Sequence, residues 1–324
     1  MSSTLTAAST AEQVAALFSA NARGKTVLVT GSNTGLGFET ARVLASVGAN
    51  VIIACRSVEK GTTALNSIKA KQPDANVSLL QLDLNELAQV KSAAQTFIST
   101  HKKLDILINN AGVMACPKSS TKDGFESQFG VNHLAHFYLT TLLLPLLIAS
   151  GSKESPSRVV NLSSMGQFLY GPPEGIIFDD LNGDKNYNEW VRYGQAKLAN
   201  VLFSNELQAR YASKNVISVA VHPGLIASTE LTRHLGIKTT LDTLYQAFCK
   251  PGGLSLVLQQ RNKSIPEGAA TSVLAALDPA VVGGGYYYDC KLSQGEGLHP
   301  KATDAELAKK LWEESEKLVA KTVA

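Results

Sequence analysis

Tyr193 and Lys197 stand four positions apart in the string YGQAK, and no other pair in the chain is better suited to move a proton. Residues i and i+4 share one face of a helix, so an ammonium beside a phenol favours the phenolate. A free tyrosine titrates at about 10 and exchanges protons poorly at neutral pH, whereas a neighbouring cation draws that value toward the working range. The pair therefore predicts acid-base chemistry. On a half-buried helix with a solvated lysine the same spacing does nothing, so the reading depends on what else the chain brings.

A nucleotide-binding loop is the first addition. TGSNTGLG at 30–37 places Gly31, Gly35 and Gly37 directly after the apolar run Val27-Leu28-Val29 and before an alanine- and leucine-rich helix over 36–47. Gly31 allows a sharp exit from the strand, Gly35 lets the backbone approach a pyrophosphate, and Gly37 permits close packing of helix on strand. The intervening Ser32, Asn33, Thr34 and Leu36 complete the loop, whose free N–H groups face an anion at the helix start.

Those residues need a scaffold, and its period is legible. Short apolar, β-branched runs at 50–55, 77–82, 104–109, 158–162 and 216–221 alternate with helical patterns at 57–70, 85–100, 124–149 and 189–212. Strands buried on both faces and joined by helices make an α/β, doubly wound parallel sheet. A further strand around 285–289 and a charged helix from Asp304 bring the count to about seven strands. Residues 1–23 read as a helical arm in which Ser9-x-x-Glu12 opens a short helix through Phe18 as a capping box. Residues 24–324 read as one domain, with a substrate lid around 225–265. The segments 165–188 and 225–265 follow strand C-termini, where ligands bind in such sheets.

Composition excludes several alternatives. The 324 residues are 44% hydrophobic and 18% charged with a formal net charge of +3, enough apolar content for a large core and too little charge for nucleic acid. Cys55, Cys116, Cys249 and Cys290 form no CxxC pair, which disfavours a zinc site or disulfide framework and fits a reducing, cytoplasmic setting. No Lys or Arg precedes residue 21, so the start lacks the basic character of a targeting signal. The apolar stretch 139–149 is short for a bilayer span and contains Pro145, as a buried helix would. His133 and His136 lack acidic or cysteine partners at ligand spacing and read as helix-surface or packing histidines.

Past residue 100 the chain resembles the short-chain dehydrogenase/reductase family. Asn109-Asn110-Ala111-Gly112 is similar to its NNAG turn and Tyr193 to Lys197 to its YxxxK element, while YGQAKLANVLFSNEL and AVHPG at 220–224 resemble the retinol dehydrogenase branch and related fungal enzymes. The resemblance runs from about Lys25 to about Asp289 and implies a Rossmann fold and an oxidoreductase using a nicotinamide dinucleotide. It also implies roles: Ser164, or less favourably Ser163, hydrogen-bonds the substrate oxygen; Tyr193 carries the proton; Lys197 binds ribose; and Asn132 holds a relay water. Asn110, Ala111 and Gly112, the pair Asp83-Leu84, and Pro223, Gly224 and Ile226 would contact cofactor, with either Ser228 or Thr229 at the nicotinamide amide. Ser164 and Tyr193 are 29 residues apart, an insertion resembling that of the retinol dehydrogenase branch.

Cofactor choice is read at the end of the second strand, where an acidic residue suits NAD and a basic one accommodates a 2′-phosphate. Cys55-Arg56, with Lys60 one turn on, favours NADP(H). Phe168, Tyr170, Trp190, Leu241, Tyr245, Phe248 and Leu254 either line a site for a bulky apolar carbonyl or alcohol, such as a retinoid, steroid or polyketide, or close the core beneath the lid. A dinucleotide-binding sensor without hydride transfer and an epimerase or dehydratase are the competing functions. Helices 124–149 and 189–212 match those through which the family dimerises, an analogy that implies a homodimer.

Overall fold

The computed structural model describes residues 5–226, 248–250 and 253–323. Ser228, Thr229, Leu241 and Tyr245 lie outside the described residues, as does most of the expected lid. Among the described residues one sheet runs in the order β3-β2-β1-β4-β5-β6-β7-β8. Its strands are β1 (Thr26–Thr30), β2 (Asn50–Cys55), β3 (Val77–Gln81), β4 (Ile106–Asn109), β5 (Ser157–Leu162), β6 (Val216–His222), β7 (Tyr286–Tyr288) and β8 (Lys291–Leu292). All neighbours pair in parallel except β7 and β8.

Strict alternation of side chains divides the core between the two faces of the sheet. Leu28, Ile52, Leu107 and Val159 point to one face, while their neighbours Val27, Val29, Ile53 and Val160 point to the other. The first face carries the helices Leu87–Thr100, Ala135–Ser150 and Glu189–Tyr211 together with the C-terminal helix Ala305–Val323. The second carries Gly35–Ser46, Ile265–Leu277 and the N-terminal helix Ala11–Leu17. The order reverses between β1 and β4, and a crevice opens there beyond the strand C-termini.

Several local expectations shift. The capping box at the N-terminus is Thr10 with Gln13, one residue later than Ser9 with Glu12: Thr10 accepts from the Gln13 N–H while Gln13 accepts from the Thr10 N–H. Glu12 is thereby left to pair with Arg42 at 2.7 Å. An eighth strand appears because Asp289 and Cys290, at φ +51° and +58°, turn the chain back as a two-residue hairpin without the usual Asn-Gly. The apolar helix is also longer than the stretch 139–149: Ser127–Ser150 is continuous, with a π-helical segment at Gly130–Leu134, and reaches bilayer-spanning length and hydropathy while lying largely buried in the fold. From the C-terminal helix, Trp312 packs against Phe137 and Phe203, so the chain itself covers part of the faces of both long helices.

Candidate active site

The glycine loop is built as its spacing demands. Gly31 (φ +65°) and Gly35 (φ +59°) occupy the left-handed region that a Cβ disfavours. A Cβ on Gly31 would lie 2.9 Å from Ala111, and one on Gly37 would be driven against the Gly31 carbonyl at 2.5 Å, so these two mark close packing. Gly35 differs, since a Cβ there would meet nothing within 4 Å: its open side is the cleft. No side chain caps the helix that starts at Gly35, which leaves its first-turn N–H groups for an anion. Thr30 locks this loop to the next, its hydroxyl accepting the N–H groups of Asn110 (2.9 Å) and Ala111 (3.0 Å) while Asn110 Nδ2 donates to the Thr30 carbonyl (2.7 Å). Ser32, expected at the cofactor, is fully buried and donates to the Val29 carbonyl at 2.7 Å, joining strands rather than facing the cleft.

A cleft of about 570 Å³ runs along the strand ends. Arg56, Ser57, Lys60, Asp83 and Leu84 line one end, the glycine loop and Asn110–Gly112 the middle, and Tyr193, Lys197 and Pro223 the other end. Arg56 and Lys60 are exposed, and the end of β2 bears no acidic residue. Ser57 caps the helix Val58–Lys71 by accepting the Lys60 N–H at 3.2 Å. This shape has room for an extended dinucleotide: Gly35 leaves the loop open to the cleft, and the basic pair Arg56 and Lys60 stands at one end.

At the far end, the helix Glu189–Tyr211 presents Tyr193 and Lys197 with the ammonium 5.8 Å from the ring centroid. Asn188 starts that helix by accepting the N–H groups of Trp190 and Val191. Tyr193 fits because Gly166 lies behind it, where a Cβ would fall 2.7 Å from the ring. Both side chains are buried. Lys197 Nζ donates to the Leu162 carbonyl at 3.1 Å, and burial pulls it down to about 8. Tyr193 departs from expectation, being pushed up to about 12 by burial, with a hydrogen bond to Ser164 opposing the rise. Lys197 does not produce the expected lowering, because desolvation of the phenolate outweighs a cation that burial itself disfavours.

The two serines differ in their partners, although Ser163 and not Ser164 is among the residues lining the cleft. Ser163 is buried and its hydroxyl donates to the Lys197 carbonyl at 2.7 Å, whereas Ser164 bonds the Tyr193 hydroxyl and accepts the Gly166 N–H at 3.0 Å. Asn132 sits in the π-helical segment with its side chain spent on the main chain of Val113: Oδ1 accepts at 2.8 Å and Nδ2 donates at 2.9 Å. Its backbone carbonyl lies 3.1 Å from His136 Nδ1 and keeps a second lone pair for other work. Gly112 brings the parts together, since a Cβ there would lie 2.9 Å from Asn132 Oδ1 and 3.4 Å from Lys197 Nζ.

Other expected residues sit elsewhere. Ile226 is buried against Gly268 and Gly224 turns the chain at φ +92°, neither lining the cleft. Phe168 and Tyr170 belong to a small apolar cluster with Met165 and Trp190, and Trp190 reaches the edge of Tyr193 at 6.3 Å; Phe248 and Leu254 are exposed. Of the two readings for His133 and His136, packing rather than helix surface holds: both are buried, with Nε2 bonded to Ser315 and Thr30 respectively. Sequence reasoning missed Val113, Met114, Cys116, Ser119 and Val131 on the cleft wall. It also missed Gln128, which accepts the N–H of Ala115, a residue at φ +46°. Only their position after the NNAG turn could have pointed to them.

Comparison with known proteins agrees with this geometry. A family model for short chain dehydrogenases matches residues 25–239. Retinol dehydrogenase 12 of Mus musculus is 43% identical over 291 residues, 89% of this chain and 84% of the relative. Short-chain dehydrogenase/reductase prx1 of Penicillium roqueforti is 40% identical over 309 residues, covering 92% and 86%. The Pseudomonas aeruginosa RhlG/NADP active-site complex superposes with a TM-score of 0.61 at 25% identity, over 82% of this chain and 94% of that one.

Proposed function

This chain belongs to the short-chain dehydrogenase family, within its retinol dehydrogenase-like branch, and on that premise we propose that it transfers hydride between NADP(H) and a carbonyl or alcohol carbon of a bulky apolar substrate. The observation that carries the reading is the convergence of Tyr193 and Lys197 at one end of a dinucleotide-shaped cleft, with Ser164 bonded to the Tyr193 hydroxyl.

NADP(H), when bound, supplies or accepts the hydride. Asn33, Thr34 and Leu36, with the three loop glycines, would hold its phosphates, Asp83 and Leu84 its adenine, and Asn110, Ala111 and Gly112 the middle of the cleft. Support for the phosphorylated coenzyme comes from Arg56 and Lys60 at the cleft end and from the NADP in the RhlG complex. Ser164 orients the substrate oxygen. Tyr193 gives that oxygen its proton in reduction and takes it back in oxidation, since its hydroxyl already bonds Ser164. Lys197, buried beside the ring, holds ribose and stabilises the phenolate while the proton is away. The Asn132 main-chain carbonyl holds the water that returns protons from solvent. An apolar substrate is supported by Met114, Val113 and Val131 on the wall and by Trp190 against Tyr193. Four widely spaced cysteines with no CxxC pair support a reducing, cytosolic setting.

The test is oxidation of NADPH and NADH against a panel of retinoid, steroid and aliphatic carbonyls. The reading expects turnover with NADPH, strongest for large apolar carbonyls. NADPH binding without turnover on any of them points instead to a binding-only protein, and preference for NADH removes the assigned role of Arg56.

A further inference from the structure

His136 is a buried titratable group that the proposed chemistry leaves unused. It is 2% exposed, on the helix Ala135–Ser150, and both of its ring nitrogens are engaged. Nδ1 lies 3.1 Å from the main-chain carbonyl of Asn132 and Nε2 lies 2.8 Å from the hydroxyl of Thr30. The partners fix the proton positions. A carbonyl only accepts, so Nδ1 carries the hydrogen, and Nε2 is left as an acceptor. The Thr30 hydroxyl already accepts two backbone N–H groups, from Asn110 and Ala111, so its own hydrogen is available for Nε2. One directed chain thus runs from the NNAG turn through Thr30 and the imidazole to the Asn132 carbonyl.

That carbonyl stands where the regular ladder is interrupted. Gly130–Leu134 is π-helical, a form concentrated at functional positions. With the Asn132 side-chain amide held on Val113, its orientation is anchored on one side by Val113 and on the other by His136. We propose that His136 is a positioning residue, which as its Nδ1–H tautomer aims the Asn132 carbonyl at the relay and couples it to the loop that receives the cofactor. This rests on the function proposed above. Burial and the charge of Lys197 favour the neutral ring, the bond to the Asn132 carbonyl opposes them, and His133 is the neighbouring titratable group, itself held neutral by burial.

Two conservative variants divide the two bonds. Asparagine places an N–H donor near the position of Nδ1, and glutamine places an acceptor near that of Nε2. His136→Asn is expected to keep kcat within about threefold of wild type, and His136→Gln to lower it by about tenfold, the loss associated with one hydrogen bond, with the KM for NADPH little changed in both. A purely structural role would lower thermal stability in both variants without dividing their kcat values. Equal loss in both variants, the reverse order, or a change confined to the KM for NADPH overturns the proposal. Nitrogen-15 NMR of the cofactor-free wild type supplies a readout that needs no turnover and no variant. It should show His136 neutral at pH 6 with its proton on Nδ1, and a proton on Nε2 or a charged ring overturns the assignment. Wild type without turnover refutes the proposed function instead, and the tautomer still decides the placement.

Discussion

Acidification from pH 7.5 to 5 acts on three imidazoles that the fold keeps neutral. Burial drives His133 down to about 3, His136 to about 4 and His222 to about 4, helped in turn by the nearby charges of His136, Lys197 and Lys263. In the unfolded chain each ring takes a proton at about 6.5. The unfolded state therefore binds more protons than the fold from that value downward, so stability is complete above it and falls as pH falls. At pH 5 each ring accounts for about 2 kcal/mol and the three for about 6 kcal/mol, comparable with the total stability of an ordinary domain. Glu126 opposes them, because burial raises its carboxyl, whereas His299, another imidazole pulled down by burial, adds to them. Urea unfolding followed by circular dichroism between pH 7.5 and 4.5 measures the slope. It should fall below about 1 kcal/mol per pH unit above pH 7 and reach about 3–4 kcal/mol per pH unit around pH 5.5, the signature of nearly three protons. His133→Phe, placed among Phe129, Phe137 and Phe203, should remove one proton from that slope whatever it does to absolute stability. A free energy that stays flat between pH 5 and 6.5 refutes the reasoning.

Three further outcomes follow from the site. Arg56→Asp should shift the ratio of kcat/KM for NADPH and NADH toward NADH by about ten- to a hundredfold, the worth of a charge-assisted bond to a phosphate; an unchanged ratio removes the role given to Arg56. Ser164→Ala should lower kcat by about a hundredfold, while Ser163→Ala, losing only its bond to the Lys197 carbonyl, should lower stability by about 1 kcal/mol with a smaller change in kcat; the reverse order in kcat reassigns the pair. Gly37→Ala should destabilise the chain by about 1–3 kcal/mol through overpacking against the Gly31 carbonyl and Asn110, and a melting temperature unchanged from wild type contradicts that packing.

Much of this was written in local patterns. The glycine string and the short β-branched runs depend on neighbours a few residues away, so β1 to β6, their helices and the cradle could be read with ends displaced by up to three residues. Tyr193 and Lys197 needed only helical spacing to be placed together. What escaped depends on contacts distant in sequence or on departures from regular period. The π-helical turn at Gly130–Leu134 is invisible to a 3.6-residue pattern. The hairpin at Asp289-Cys290 lacks the glycine that would announce it. The Thr30–His136 bond joins residues 106 positions apart, and the rise in Tyr193 reflects how deeply the ring is buried, which spacing to Lys197 does not reveal. The capping box slipped to Thr10 and Gln13 because adjacent residues offered two versions of one signal.

The most direct test of the account is Tyr193→Phe, assayed for NADPH-dependent carbonyl reduction and for NADPH binding by fluorescence titration. The substitution removes the hydroxyl that bonds Ser164 and keeps the ring that fills the space beside Gly166. The account predicts a kcat lower by about a thousandfold or more, within the range of general acid-base catalysis, and a dissociation constant for NADPH within about threefold of wild type. Turnover close to wild type, with the phenolic hydroxyl gone, would contradict it.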